Sequence, residues 1–401
     1  MSVPSQGREA ICSFDVIIIG AGIAGLNAAY RIKSMLPGAT FTILENRDSI
    51  GGTWDLFKYP GVRSDSDLFT YGFSWRLWPF KHPVGEGHLI MSYLWDSVSK
   101  HQGNPQHFQA RFIILGTGYY DYQSPIKPVI PGLENFQGDV IHPQFWPADY
   151  DYGNKKIAII GSGATAITLL PALAKKAARV TMVQRSPSYI ASLPNQRRKP
   201  HWLGKFLPAS FMRVYERLLH MIRPYLFVVF SQKHPLRARE ALRKATVPQL
   251  PDWISYDPHF SPKYSPWEQR LCVSPDGDFY EALRGGKADV VTGQIKTVTD
   301  GGIEMEDGSA VNADVIVTAT GLNMRVGGNI DLRVDGEAVA WREKLLWNGA
   351  MVEGVPNLNF LFGYTNASWT IGADNAVLIL IRVMKHMELF GNVTRDLEFH
   401  G

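Results

Sequence analysis

The stretch FDVIIIGAGIAGLNAAYRIKSML, residues 14–36, decides the fold. It opens on an unbroken apolar run, Val16 to Ile19, of the kind a strand buried on both faces requires. It then turns through Gly20, Gly22 and Gly25 into a helical apolar pattern. Gly20 permits the tight turn, Gly22 lets the backbone approach a pyrophosphate, and Gly25 lets helix and strand pack closely. The helix N-terminus offers unspent N–H groups and the positive end of its dipole to phosphate. The next strand, FTILE, ends at Glu45, twenty residues after Gly25, where a carboxylate accepts hydrogen bonds from an adenosine ribose. A glycine-rich turn alone would be weak evidence. The strand before it, the helix after it and the acid at this distance make it a dinucleotide site.

The pattern recurs in KKIAIIGSGATAITLLPALAKKAARVTMVQRS, residues 155–186. A strand at 156–160 leads into Gly161, Gly163, Thr165 and Ala166, then a helix, then a strand at 179–183. The second strand ends in Gln184, Arg185 and Ser186 instead of an acid. An arginine there pairs with a 2′-phosphate, which a carboxylate would repel, so the spacing points to NADPH. Two turns imply two dinucleotides, with FAD at the first and NADPH at the second. The expected fold is α/β, with two Rossmann-like dinucleotide-binding domains built as three layers on parallel sheets. The FAD domain is discontinuous, over 1–140 and 311–401. A linker at 141–153 leads to an NADPH domain at 154–310, with a helical insertion at about 197–260.

Composition narrows the function. The 401 residues are 45% hydrophobic and 19% charged, as in a globular protein. A net charge of +4 is too small for a dominant basic face and argues against a nucleic-acid partner. Cys12 and Cys272 form no C-x-x-C pair, so a dithiol redox site, a zinc knuckle and a disulfide framework lack support. None of the 11 His stands at zinc spacing with an acid, so no metal is expected. No signal-peptide pattern and no run of 18 apolar residues occurs, and a soluble cytoplasmic protein is the expectation. Between Arg197 and Lys244 twelve Lys/Arg face only Glu216 and Glu240. This segment offers a weak peripheral membrane contact. The plainer reading is solvated basic helices around one buried turn, PYLFVVF, at 224–230. Elsewhere the pattern predicts a helix at 89–101, a buried strand at 110–116, a hairpin through EDGSA at 306–310 and a long apolar helix after GYTNASWT.

One further stretch, FQGDVIHPQFWP at 136–147, fits F-x-G-x-x-x-H-x-x-x-W-P. With GGTWDLFKYPGVRSDSDLFTYGF, IIGSGATA, QRSPSY, VTATG and GYTNASWT in the same order, the chain resembles the Baeyer–Villiger monooxygenases. Within them it is similar to the bacterial thioamide-oxidising branch. The resemblance implies that NADPH reduces FAD and that oxygen then adds to give a C4a-peroxyflavin. That species inserts one oxygen atom into a ketone, giving an ester or lactone, or oxidises sulfur or nitrogen. The implied partners are O2 and a small-molecule ketone, thioether or thioamide. Arg270 matches the arginine that stabilises the peroxide, and Asp65 the carboxylate that holds it. His142 matches a hinge residue that couples NADPH binding to domain rotation. Gly52, Thr53 and Trp54 resemble the flavin-contacting turn, and Thr365 and Asn366 precede a helix aimed at the flavin pyrimidine. Members of that family are longer, both between 101 and 110 and after the last helix. A shortened member that binds nucleotide without turnover, or an uncoupled NADPH oxidase, is therefore the alternative.

Overall fold

Along the strand Cys12–Ile19, Val16 and Ile18 pack on one face of a sheet and Ile19 on the other; along Phe108–Leu115, Phe112 and Ile114 oppose Ile113 and Leu115. This two-sided burial is why both runs lack polar alternation. The computed structural model describes residues 12–97, 107–195, 206, 208–269, 271–364, 367–390 and 397–398. The chain divides into two compact units, one made of 1–55, 90–121 and 324–401, the other of 56–89 and 122–323.

In the first unit four strands run parallel in the order Phe41–Leu44, Cys12–Ile19, Phe108–Leu115, Val355–Phe360. Met351–Val352 and Leu346–Trp347 extend the sheet antiparallel. Helices Ile23–Met35 and Trp369–Phe390 cover one face through Ala24, Ala28 and Ile32 and through Ala373, Val377, Leu380 and Ile381. On the other face the covering layer is the segment carrying Leu332, Val334 and Trp341, which includes a two-residue hairpin.

The second unit holds five parallel strands in the order Asp139–Ile141, Val315–Thr318, Lys156–Ile160, Arg179–Gln184, Ala288–Thr292. Ile157, Ile159, Val180, Met182 and Val317 pack under helices Ala164–Ala174 and Asp278–Arg284. Ala158, Ile160, Val183 and Ile316 pack under an antiparallel sheet of Ile295–Thr299, Gly302–Met305 and Ala310–Asn312. The last two strands are joined by the expected EDGSA turn.

The boundaries fall away from those read in the sequence. Val315–Thr318, expected to return to the first domain, is an inner strand of the second sheet, and Asp139–Ile141 is that sheet's edge. Residues 56–89 also join the second unit. Tyr59 and Val62 pack in the core beneath helix Ala164–Ala174, and Arg63 is ion-paired to Asp278. A short apolar strand reads alike for either parallel sheet, and only its neighbours decide.

Two local expectations change. The helix at 89–101 begins earlier and runs Gly87–Trp95, with 98–101 outside the described residues. In the insertion, helix Ala209–Lys233 does not bury the PYLFVVF turn, since Tyr225 is 66% and Leu226 57% exposed. The helix is docked by Phe227, whose ring meets that of Trp267 edge-on at 6.4 Å, and by polar residues. Arg217 donates to the carbonyls of Phe69 and Gly72 at 2.8 and 3.3 Å, and the His220 ring lies 5.0 Å from that of Phe69.

Candidate cofactor sites

In the first unit the turn after Ile19 is packed to backbone contact at two of its three glycines. A Cβ on Gly20 (φ +105°) would stand 2.5 Å from the Gly116 carbonyl oxygen, and one on Gly25 would stand 1.9 Å from that of Gly20. Gly22 differs. Its backbone is ordinary and extended (φ −74°, ψ 179°), and a Cβ there would meet only Gly52 Cα, at 3.8 Å. Neither strain nor crowding within the chain asks for glycine at this position, so the bare backbone serves an approach from outside. Gly22 caps helix Ile23–Met35 without a side-chain hydrogen bond, which keeps the helix N-terminus available to an anion. These features fit a pyrophosphate.

Glu45 follows the strand Phe41–Leu44 and closes the turn. Its Oε2 accepts from the Ala21 N–H at 2.6 Å and its Oε1 from the Arg47 N–H at 3.1 Å. An ionised carboxylate has acceptor capacity beyond two bonds, so it can still take ribose hydroxyls. Gly51 and Gly52 both have positive φ, and the Gly51 N–H reaches the Ala21 carbonyl at 2.9 Å. Thr53 and Trp54 begin the single helical turn that follows. Asp374 ties the final helix to the first. It takes a fork from Arg31 at 2.8 and 2.6 Å and an amide bond from Asn27 at 2.8 Å. Its hydrogen bond to Asp374 holds the Arg31 guanidinium above its usual pKa. No pattern in the sequence marks this clamp, because its members stand 343 and 347 positions apart. Trp369 stacks on Tyr119 at 4.7 Å, while Thr365 and Asn366 lie outside the described residues.

The second unit repeats the turn. A Cβ on Gly161 (φ +135°) would stand 2.3 Å from the Ala319 carbonyl oxygen, whereas one on Gly163 would meet nothing within 4 Å. Gly163 is again an extended cap (φ −82°, ψ −179°) without a side-chain bond, and Ala166 is fully buried against the sheet. At the end of strand Arg179–Gln184 the three expected contact residues part company. Arg185 and Ser186 are exposed. Gln184 is buried, and its amide is committed to the His259 carbonyl at 2.8 Å and the Thr292 hydroxyl at 2.9 Å. Ser162 bridges the turn to the strand end through the Ser186 carbonyl at 2.8 Å.

Thr165 shares a hydrogen bond with the phenol of Tyr59, a partner no sequence signal announced. Burial, and next the nearby charge of Asp65, push the Tyr59 pKa well up, so this phenol stays neutral. The three charged residues of GVRSDSD take separate tasks. Arg63 is spent on Asp278, which also accepts from Ser274 at 2.8 Å. Asp67 caps the helix Leu68–Tyr71 through the Thr70 N–H at 3.0 Å. Asp65 is exposed, and its expected partner Arg270 lies outside the described residues.

The stretch 136–147, read as part of a connector, lies wholly within the second unit. Phe136 is buried in the core facing the antiparallel sheet. A Cβ on Gly138 would stand 2.3 Å from the Asp314 carbonyl oxygen. Trp146 is 8% exposed and meets Tyr150 and Tyr152 edge-on at 6.2 and 6.3 Å. Packing therefore accounts for Phe136, Gly138 and Trp146. His142 has something left over. Its Nδ1 accepts from the Gln144 N–H at 3.2 Å, while its Nε2 is buried without a well-aligned partner. Burial lowers its pKa against the opposing hydrogen bond with the Gly321 backbone, so the neutral ring is favoured, with Nε2 carrying the proton.

Residues 18–84 match the NAD(P)-binding Rossmann-like domain and residues 99–206 the pyridine nucleotide-disulphide oxidoreductase family. The chain is 40% identical over 413 residues to the FAD-containing monooxygenase EthA of Mycolicibacterium smegmatis, across 94% of this chain and 82% of that protein. It is 38% identical to EthA of Mycobacterium tuberculosis H37Rv, across 93% and 83%. Cyclohexanone monooxygenase, solved with cyclohexanone bound, shares the fold with a TM-score of 0.74 at 22% identity, over 95% of this chain and 88% of that one. At this identity and coverage, the chain belongs to the family of FAD-containing monooxygenases.

Proposed function

We propose that the protein is an NADPH- and O2-dependent FAD monooxygenase. It inserts one oxygen atom into a ketone or oxidises a sulfur or nitrogen centre, with thioethers and thioamides among its substrates. The observation that carries this reading is the pair of turns whose middle glycines, Gly22 and Gly163, have ordinary extended backbones and uncrowded Cβ positions beside helix N-termini that bring no side-chain cap of their own. When bound, the nicotinamide supplies hydride and the flavin supplies oxygen activation.

The chain's own work is binding, orientation and charge. Gly20, Gly22, Gly25 and the N-terminus of helix Ile23–Met35 hold the FAD pyrophosphate, and Glu45 holds the ribose. Gly52, Thr53 and Trp54 border the flavin, with Thr365 and Asn366 at the head of the last helix. Gly161, Gly163, Thr165 and Ala166 form the NADPH turn. The exposed Arg185, with Ser186, takes the 2′-phosphate. Gln184 serves by fixing the strand end and not by touching cofactor. His142, held neutral, donates from Nε2. Arg270, positioned by Asp65, supplies positive charge where negative charge develops on oxygen. The protein works in the cytoplasm, with weak peripheral membrane contact through 197–244.

The test is turnover under 18O2 with cyclohexanone, a thioether and a thioamide. One labelled oxygen per NADPH consumed in at least one product supports the proposal. NADPH consumption that yields only hydrogen peroxide overturns it in favour of an oxidase.

A further inference from the structure

Helix Ala209–Lys233 carries a second, outward apolar stripe besides the side chains it packs against the protein, such as Phe227 against Trp267. Phe211, Val214, Leu218, Ile222, Tyr225 and Leu226 recur at mostly three- and four-residue steps and are 48–66% exposed. Such spacing makes one continuous stripe along the helix. Three polar residues of the helix face the protein. Arg217 holds the carbonyls of Phe69 and Gly72, His220 Nδ1 lies 3.5 Å from Asp67 Oδ1, and Ser231 is 1% exposed. A helix that gave this stripe to the core would leave it covered. The stripe runs along about four helical turns, far more than scattered single exposures.

The charge around it points to its occupant. Residues 197–244 hold twelve Lys/Arg and two Glu, which makes +10, while the whole chain is +4. The remainder of the protein is therefore −6, and the positive charge is concentrated in the sequence segment that carries the apolar stripe. Arg223, Lys233, Arg237 and Lys244 are exposed. A second copy docked on this face would set +10 against +10, which disfavours self-association. No described helix is long and apolar enough to cross a membrane, so the stripe can lie on one but not span it.

We infer that the outward stripe of helix Ala209–Lys233 seats the protein on an anionic phospholipid surface. Its apolar side chains enter the headgroup boundary, and the surrounding cations meet the lipid phosphates. The inference rests on the membrane contact proposed above and specifies its face and its lipid.

The test is co-sedimentation of the FAD-loaded full chain with phosphatidylcholine vesicles, with and without 30% phosphatidylglycerol (a probe composition of about that fraction). It is repeated with the double variant Leu218→Glu/Ile222→Glu. Both positions are about half exposed, so the fold should survive, as circular dichroism and flavin content would check. The expected result is at least a tenfold higher partition onto the anionic vesicles, lost by at least tenfold in the variant. Partition onto neither vesicle overturns membrane contact altogether. Equal partition of variant and wild type leaves membrane contact standing but overturns this face as its cause. A dimer in sedimentation velocity that the variant dissolves, without vesicle binding, assigns the stripe to a second copy and also overturns the inference. None of these readouts depends on turnover.

Discussion

Replacing Gly163 by alanine separates the two demands that a dinucleotide turn places on its glycines. The backbone there is extended (φ −82°, ψ −179°), which any residue adopts, and an added Cβ meets nothing within 4 Å. Folding should therefore be untouched, or favoured by about 0.4–1 kcal/mol because the unfolded chain loses freedom. Binding should suffer. Charge-assisted hydrogen bonds from the helix N-terminus to a phosphate run to about 2.7–2.9 Å, and a methyl group in the approach path holds the phosphate off. Losing one such bond costs about 1.5–3 kcal/mol, roughly 10- to 100-fold in affinity. The assay is an NADPH titration of the FAD-loaded variant, beside thermal melting without NADPH. The account expects an unchanged or raised melting temperature, unchanged flavin content and at least a tenfold higher Kd. A wild-type Kd, or a melting temperature several degrees lower, would refute the reasoning. Gly161→Ala is the control: at φ +135° and 2.3 Å from a carbonyl oxygen, it should destabilise the fold itself.

Asp374→Asn keeps the shape of the clamp between the first and last helices but removes its charge. Because the two side chains are about one-fifth exposed, the loss should be about 1–2 kcal/mol by chemical denaturation, without effect on NADPH affinity. Arg185→Ala should weaken NADPH binding at least tenfold and leave NADH unchanged; equal losses for both nucleotides would remove Arg185 from the 2′-phosphate. His142 and His259 both have lowered pKa values through burial. The unfolded chain therefore binds their protons first. Their contribution to stability is complete above about pH 6.5 and declines as pH falls from there toward the folded values. Melting temperatures between pH 7.5 and 5.5 should fall toward acid, with a shallower fall in His142→Asn and His259→Asn; slopes unchanged by the substitutions would contradict this.

Local features of the fold were legible because they depend on neighbouring residues. Both strand–turn–helix units, the EDGSA hairpin and the long last helix follow from periodicity and glycine chemistry. The misplaced features were non-local. An apolar strand such as Val315–Thr318 carries no mark of which parallel sheet will take it, and its hydrogen-bonded neighbours decide. The Arg31–Asp374 clamp, the Arg63–Asp278 pair and the Thr165–Tyr59 bond each join distant segments by ordinary polar residues. The stretch 136–147 looked like a connector because its residues are irregular, yet irregular backbone packs as well as regular backbone once its polar groups are met. The exposed stripe of helix Ala209–Lys233 is illegible in the sequence for a related reason. Periodicity shows that a helix has an apolar face and not what covers it.

The central claim is that this chain holds FAD where NADPH can reduce it. The most direct measurement is the visible spectrum of the purified protein after FAD addition and desalting, followed by anaerobic NADPH. The account predicts a retained flavin absorbance that bleaches on NADPH addition. Loss of the flavin on desalting, or a retained spectrum that NADPH leaves unchanged, would contradict it.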